Sequence, residues 1–147
     1  NTSVPLFDGK LLEPGQHLTG IVGSNVQLIK SGYRSTRRRE LDDKTAERAD
    51  LIVCNLRETI EIEEPGDLYE PLEKGLIKLE NIYELGELGT ECCLGRTSQE
   101  QITYHKNTNG NGVADLGIAK RAYDLAKADG RGTWLELADP KDLPRAI

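Results

Sequence analysis

The stretch GRTSQEQITYHKNTNGNGVADLGIAKRAYDLA, residues 95–126, combines three features that indicate how the chain folds. A polar lead-in precedes a short β-prone run at residues 102–104. An Asn/Gly-rich loop, residues 107–112, follows and leads directly into a helix. The apolar residues of that helix recur at spacings of three and four, so they share one face. Gly130 lies where such a helix would stop.

The Asn/Gly-rich loop has two interpretations. A glycine-rich loop before a helix N-terminus can present backbone N–H groups and the positive end of the helix dipole to a phosphate or carboxylate. The alternative is an ordinary loop whose Asn and Gly residues adopt left-handed conformations. Loose glycine patterns are weak signals, so the spacing alone favours the ordinary loop.

The composition limits the class of protein. The 147 residues suffice for one domain or part of a larger one, and the net charge is −6. An acidic chain does not favour nucleic-acid binding, and no apolar run approaches the roughly 18 residues of a membrane span. The three cysteines form no CxxC pair, which argues against a zinc site or a disulfide framework. We therefore expect a cytoplasmic protein without a metal site, a nucleic-acid partner or a membrane partner.

The rest of the chain alternates strand and helix patterns. Residues 17–22 and 51–55 are typical of strands, and the second run is apolar throughout, as in a buried parallel strand. Residues 39–49 and 57–64 are typical of helices. Residues 26–36 indicate a surface loop, and Ile82, Leu85 and Leu88 share one face at helical spacing. This alternation predicts an α/β fold that forms half of a doubly wound sheet.

Several catalytic and nucleotide-binding motifs are missing from the sequence. It contains no GxGxxG turn, P-loop, HExxH or catalytic-triad motif. A doubly wound sheet that binds a dinucleotide normally carries its glycine-rich turn after its first strand.

An ordered set of segments resembles the C-terminal portion of the ornithine cyclodeaminase/mu-crystallin family. These segments are TSVPLFDG (2–9), LEPGQH (12–17), HLTGIVGSN (17–25), RRELD (38–42), ADLIV (49–53), PGDL (65–68), ELGEL (84–88), GRTS (95–98) and IT (102–103). Lys106, Asp115, Ala119, Tyr123 and the GRG of residues 130–132 complete the set. No single segment is diagnostic, but their order is fairly specific.

The resemblance implies a longer subunit in which an N-terminal domain dimerises and a Rossmann domain binds NAD or NADP. Residues 1–100 would be the second half of the Rossmann-type doubly wound parallel sheet. Residues 101–147 would return to the dimerisation and substrate domain, with the helix at residues 113–128 packing on it. The expected partners are the upstream half of the same protein, a second subunit of a homodimer and a small amino or imino acid.

The resemblance also assigns site residues. The cofactor-binding set would be Asn1, Thr2, Thr19, Gly20, Ile21, Val22, Gly23, Asn107 and Thr108. Lys30, in a longer link than the family usually has, is a further candidate for the cofactor phosphate. The position that carries an acid–base aspartate in the family's cyclodeaminases is Asn25 here, and Asp115 at the start of the helix is a second catalytic candidate.

An asparagine cannot exchange a proton in the working pH range. Asn25 therefore favours an NAD(P)-dependent oxidoreductase that acts on an amino or imino acid by hydride transfer. The alternatives are an ornithine-type cyclodeaminase that releases ammonia and a non-catalytic, mu-crystallin-like nucleotide-binding protein.

Overall fold

The computed structural model describes residues 2–107 and 112–135, apart from the side chain of Val113. Its centre is a sheet of four parallel strands. These are β1 (His17–Gly20), β2 (Leu51–Cys54), β3 (Ile82–Glu84) and β4 (Thr103–Lys106). The order across the sheet is β1-β4-β2-β3, so the last strand in the chain lies between the first two. This arrangement confirms the predicted α/β fold with a parallel sheet.

In the part of the chain that the structure describes, five α-helices accompany the strands. They are α1 (Val26–Lys30), α2 (Asp43–Arg48), α3 (Arg57–Glu63), α4 (Gly66–Glu73) and α5 (Gly112–Ala128). Short 3₁₀ turns occupy residues 9–11, 79–81 and 85–87. The first four helices lie in the connections between β1, β2 and β3. Helices α2 and α3 lie within residues 39–49 and 57–64, which the sequence predicts as helical, whereas α1 and α4 are not predicted.

The core lies mainly on one face of the sheet. Ile52 of β2 and Tyr104 of β4 pack with Ile60 of α3 and Leu68 of α4 in one buried cluster. Each fully buried apolar side chain of this size contributes about 1.5–3 kcal/mol to folding. A smaller cluster on the opposite face contains Leu51, Val53 and Cys93. All four residues of β2 are therefore buried, as expected for a central parallel strand.

Two segments differ from the sequence-based prediction. Residues 26–36 are predicted as a surface loop, but they begin with α1, whose first residue, Val26, is buried. Residues 80–88 carry an apolar face at helical spacing, yet Ile82–Glu84 pairs with β2 as a strand. Ile82 is fully buried in the main cluster, so tertiary packing overrides a local periodicity that spans only three apolar residues.

The predicted domain boundary near residue 100 stays a prediction. A boundary near residue 100 places the run at residues 102–104 in a returning segment, but β4 is an inner strand of the sheet. By compactness the chain divides into Asn1–Asn109 and Gly110–Ile147. The second unit contains α5, which confirms the predicted helix, and Gly130 lies beyond it with a φ of 64°. The assignment of either unit to a dimerisation domain stays a prediction.

Candidate functional site

The carboxyl ends of β1 and β4 meet at one edge of the sheet. Gly20 and Lys106 are partners in the parallel register. The main-chain N–H of Asn107 donates to the Gly20 carbonyl at 2.9 Å. The structure therefore brings the end of β1 next to Asn107. Open α/β sheets bind their ligands outside the carboxyl ends of their strands. We call residues 19–23 the β1 end segment.

A carboxylate holds the backbone of the β1 end segment. Glu40 Oε1 accepts from the main-chain N–H groups of Ile21 and Val22, the second at 3.0 Å. A side chain at Gly20 would place its Cβ 3.1 Å from the Tyr104 hydroxyl and 3.3 Å from the same Glu40 oxygen. The strand end therefore approaches its neighbours closely, and glycine at position 20 suits this approach.

A buried ion pair lies beneath the same segment. Lys106 Nζ donates to the Val22 carbonyl and to Asp67 Oδ2, both at 2.8 Å, and both side chains are fully buried. The other oxygen of Asp67 accepts from the main-chain N–H groups of Glu40 and Leu41 at 2.8 and 3.1 Å. One connected network thus joins β4 and the N-terminus of α4 to the end of β1.

Polar side chains from the carboxyl ends of β2 and β4 contact one another at the same edge. His105 Nε2 lies 3.0 Å from Asn55 Oδ1, and Asn55 Nδ2 donates to Asn107 Oδ1 at 3.0 Å. Burial, with a contribution from nearby His17, lowers the pKa of His105 below its ordinary 6.5. Near neutral pH, His105 is therefore uncharged and Asn55 fixes the side chain of Asn107.

The side chain of Asn25, a candidate catalytic group, is committed to the backbone. Its Nδ2 donates to the Thr36 carbonyl at 3.0 Å, and its Oδ1 accepts from the Arg38 N–H at 2.7 Å. The residue is only 8% exposed. Asn25 therefore closes the loop formed by residues 26–37, and a cleft of about 410 Å³ opens beside it between α1 and α3.

The remaining predicted site residues are more scattered. Thr2 accepts from the Arg39 N–H through its carbonyl, and Thr19 lies on β1, where its hydroxyl is 3.2 Å from His17 Nε2. The exposed side chain of Lys30 pairs with the partly buried Glu64 at 3.3 Å. Asp115 lies in α5, in the second unit. Asn1 and Thr108 lie outside the described residues.

Sequence reasoning did not single out Glu40, Asp67, Asn55 or His105 as parts of this edge. Glu40 and Asp67 lie in the RRELD and PGDL segments that carry the family resemblance, which is the one signal that could have pointed to them. Their roles depend on contacts across 18 or more residues, and no local pattern predicts such contacts. Across residues 2–107 and 112–135, no group of His, Cys, Asp and Glu is placed to hold a metal ion. None of the helices in the same ranges could span a bilayer.

Known proteins share much of this chain. It is 34% identical over 137 residues to a Delta(1)-pyrroline-2-carboxylate reductase of Bacillus cereus, covering 92% of this chain and 38% of that protein. The same reductase from Thermococcus litoralis, solved with NADH and L-proline, superposes with a TM-score of 0.69 and 28% identity, covering 91% of this chain and 38% of that one. A probable ornithine cyclodeaminase from Bordetella pertussis gives 0.68 and 28%, covering 90% and 39%. No protein-family model matches the chain.

The fold and its carboxyl edge define the second half of a Rossmann-type, doubly wound parallel sheet. The relatives indicate to which family of proteins with this fold the chain belongs. The chain belongs to the ornithine cyclodeaminase/mu-crystallin family. It spans about 38% of the length of the relatives it matches.

Proposed function

We propose that this chain supplies the nicotinamide side of the NAD or NADP site in an oxidoreductase that acts on an amino or imino acid. The observation that carries the proposal is the meeting of the β1 end segment and Asn107 at one sheet edge. The family resemblance assigns both to the cofactor. The likeness to a reductase solved with NADH and L-proline supports the cofactor and the substrate class.

The charges at this edge suit the nicotinamide ring better than a phosphate. The N–H groups of Ile21 and Val22 already donate to the Glu40 carboxylate, so they are not free for phosphate oxygens. Lys106 is buried and paired with Asp67, which leaves no accessible positive charge from that lysine. A pyrophosphate binds best where free N–H groups and positive charge converge, whereas the nicotinamide is compatible with a fixed backbone surface.

Nicotinamide, when bound, exchanges a hydride at C4 with the substrate carbon. The residues of this chain would bind and orient the ring. The β1 end segment provides a backbone wall that Glu40 holds in place. Because Asn55 donates to Asn107 Oδ1, the amide nitrogen of Asn107 is the atom left to donate outward.

We further propose that this half acts with an upstream half of the same protein in a homodimer. The chain spans about 38% of its reductase relatives, and it contains no GxGxxG turn for the cofactor phosphates. The upstream half would supply that turn and the substrate-binding groups that the family resemblance implies.

An activity panel tests the proposed reaction. The complete protein, including its upstream half, would be mixed with NADH or NADPH and a series of cyclic and acyclic imino acids, and absorbance at the nicotinamide band followed. Stoichiometric oxidation of the reduced cofactor is the expected result. Ammonia release from ornithine without net NADH formation would point to a cyclodeaminase instead. Cofactor binding without any turnover would point to a mu-crystallin-like binding protein.

A further inference from the structure

We propose that Lys106 is a positioning residue that orients the nicotinamide through the backbone of the β1 end segment. The inference rests on the proposed function, because it concerns the cofactor placed there. Lys106 itself does not touch the exposed surface of the site, since its side chain is fully buried. It acts through Val22, whose carbonyl it holds at 2.8 Å.

The environment of Lys106 indicates why a charged group is used. An ammonium ion buried without a counter-charge is very costly, and here Asp67 neutralises it at 2.8 Å. Asp67 is held in turn by the N–H groups of Glu40 and Leu41. Both members of the pair are thus tied to main-chain groups of separate segments.

Two opposite main-chain groups of the β1 end segment are therefore fixed at once. Glu40 accepts from the N–H of Val22, and Lys106 donates to the carbonyl of the same residue. Asp67 connects the two anchors, because it bonds to Lys106 and to the Glu40 backbone. Peptide units held from both sides lose much of their freedom to rotate, so the wall presented to the ring has one orientation.

If the ion pair served folding alone, NADH affinity would recover together with stability when both charges are removed. Replacing a whole buried pair by neutral side chains is often neutral for stability, whereas removing one partner is strongly destabilising. The double variant Lys106→Met/Asp67→Asn removes both charges but also leaves Val22 without its donor. Stability and cofactor orientation can therefore be separated.

The experiment uses the complete protein and two probes, NADH and ADP-ribose. ADP-ribose carries the adenosine and both phosphates of the cofactor but lacks the nicotinamide. Isothermal titration calorimetry gives the two dissociation constants, and thermal unfolding gives Tm. The variants are Lys106→Met, the double variant, and the control Lys44→Met, which removes an exposed pair with Glu47.

We expect Lys106→Met to lower Tm and the double variant to regain most of that loss. In both, NADH affinity should fall by about tenfold or more while ADP-ribose affinity stays within about twofold, because one backbone anchor near the nicotinamide is lost. Lys44→Met should resemble the wild type in every measurement. If Lys106→Met does not fold, the double variant alone provides the comparison.

Three results would overturn the inference while the proposed function stood. The double variant could regain NADH affinity together with Tm, the affinities for NADH and ADP-ribose could fall in parallel, or neither affinity could change. Wild-type protein that bound neither probe would instead overturn the proposed function, and the inference with it.

Discussion

Three charged side chains near the end of β1 form hydrogen bonds with main-chain groups of this chain. Glu40 holds two N–H groups, Asp67 holds two more, and Lys106 holds a carbonyl. Charge-assisted hydrogen bonds of this kind are stronger than neutral ones. The pair of Lys30 and Glu64, whose lysine is exposed, contributes little by comparison. The candidate site is therefore a backbone surface that Glu40, Asp67 and Lys106 hold in place.

The Tyr104 hydroxyl is an exception, because it is buried without a hydrogen-bond partner among the described residues. Burial raises the pKa of Tyr104, and the negative charges of Asp67 and Glu40 raise it to a smaller extent. The hydroxyl therefore stays protonated. Replacing it by phenylalanine removes an unsatisfied polar group. Tyr104→Phe should leave the free energy of unfolding unchanged or raise it by up to about 1 kcal/mol, as measured by urea denaturation.

The exposed Tyr33 provides the control for that substitution. Its side chain is 81% exposed, so Tyr33→Phe should not change the urea midpoint. A clear loss of stability in Tyr104→Phe would show that the hydroxyl has a partner after all.

Asn25 offers a second test at the residue scale. Asn25→Ala removes both bonds that close residues 26–37 and should destabilise the complete protein by about 1–3 kcal/mol, since buried backbone groups lose their partners. Asn25→Asp keeps the acceptor for the Arg38 N–H but places a carboxylate near the Thr36 carbonyl. It should therefore also destabilise. Equal thermal stability of wild type and Asn25→Ala would show that these two hydrogen bonds do not stabilise residues 26–37.

Helix ends explain much of the local structure. Asp42, whose own backbone is extended, caps α2 by accepting from the Thr45 N–H at 2.8 Å, which is why the helix begins at Asp43. Helix α3 ends at Glu63, and the next residue, Glu64, caps it with a left-handed φ of 47°. Helix α4 then begins at Gly66. The sequence predicts the helices at residues 39–49 and 57–64, which contain α2 and α3, but it does not predict α4.

Asp42→Ala tests the α2 cap. The carboxylate also accepts from the Thr45 hydroxyl and from the Gly9 N–H, so the substitution should cost about 1–2 kcal/mol of unfolding free energy. Asp42→Asn keeps one acceptor oxygen and should cost less than half as much. The two unfolding curves, compared with the wild type by far-UV circular dichroism, measure both effects. Equal losses would show that charge, rather than the cap geometry, stabilises the helix.

Strand β4 predicts a pH dependence through His105. Because burial lowers its pKa in the folded state, the unfolded chain binds the proton first as pH falls. The stability that neutral His105 contributes is therefore complete above the ordinary pKa and is lost as pH falls through the lowered one. His105→Gln retains a donor for Asn55 but does not titrate.

Thermal unfolding of wild type and His105→Gln between about pH 7.5 and 5.5 measures this contribution. The Tm of the wild type should fall more steeply than that of the variant over this window, and the difference should be small at the upper end. Parallel curves would mean that His105 does not contribute to the pH dependence.

At the scale of the whole molecule, the sequence predicts the architecture better than the site. The apolar run of β2 and the regular face of α5 each appear in local patterns, and the structure confirms both elements. The insertion of β4 between β1 and β2 could not be predicted, because strand order depends on contacts between residues that are 86 positions apart, such as His17 and Thr103.

The same limit applies to the candidate site. The family resemblance selected the β1 end segment and Asn107, and the structure places them side by side. It could not show that Lys106 and Asp67 form a buried pair beneath them, since that pair joins the last strand to α4. Buried charges of this kind are visible only once the chain is folded.

A structure of the complete protein with NADH bound would test the central claim most directly. We predict that the nicotinamide ring lies in van der Waals contact, about 3.5–4 Å, with the backbone of the β1 end segment. The amide nitrogen of Asn107 should point toward the cofactor. A nicotinamide bound elsewhere, with this edge empty or occupied by the cofactor phosphates, would contradict the account.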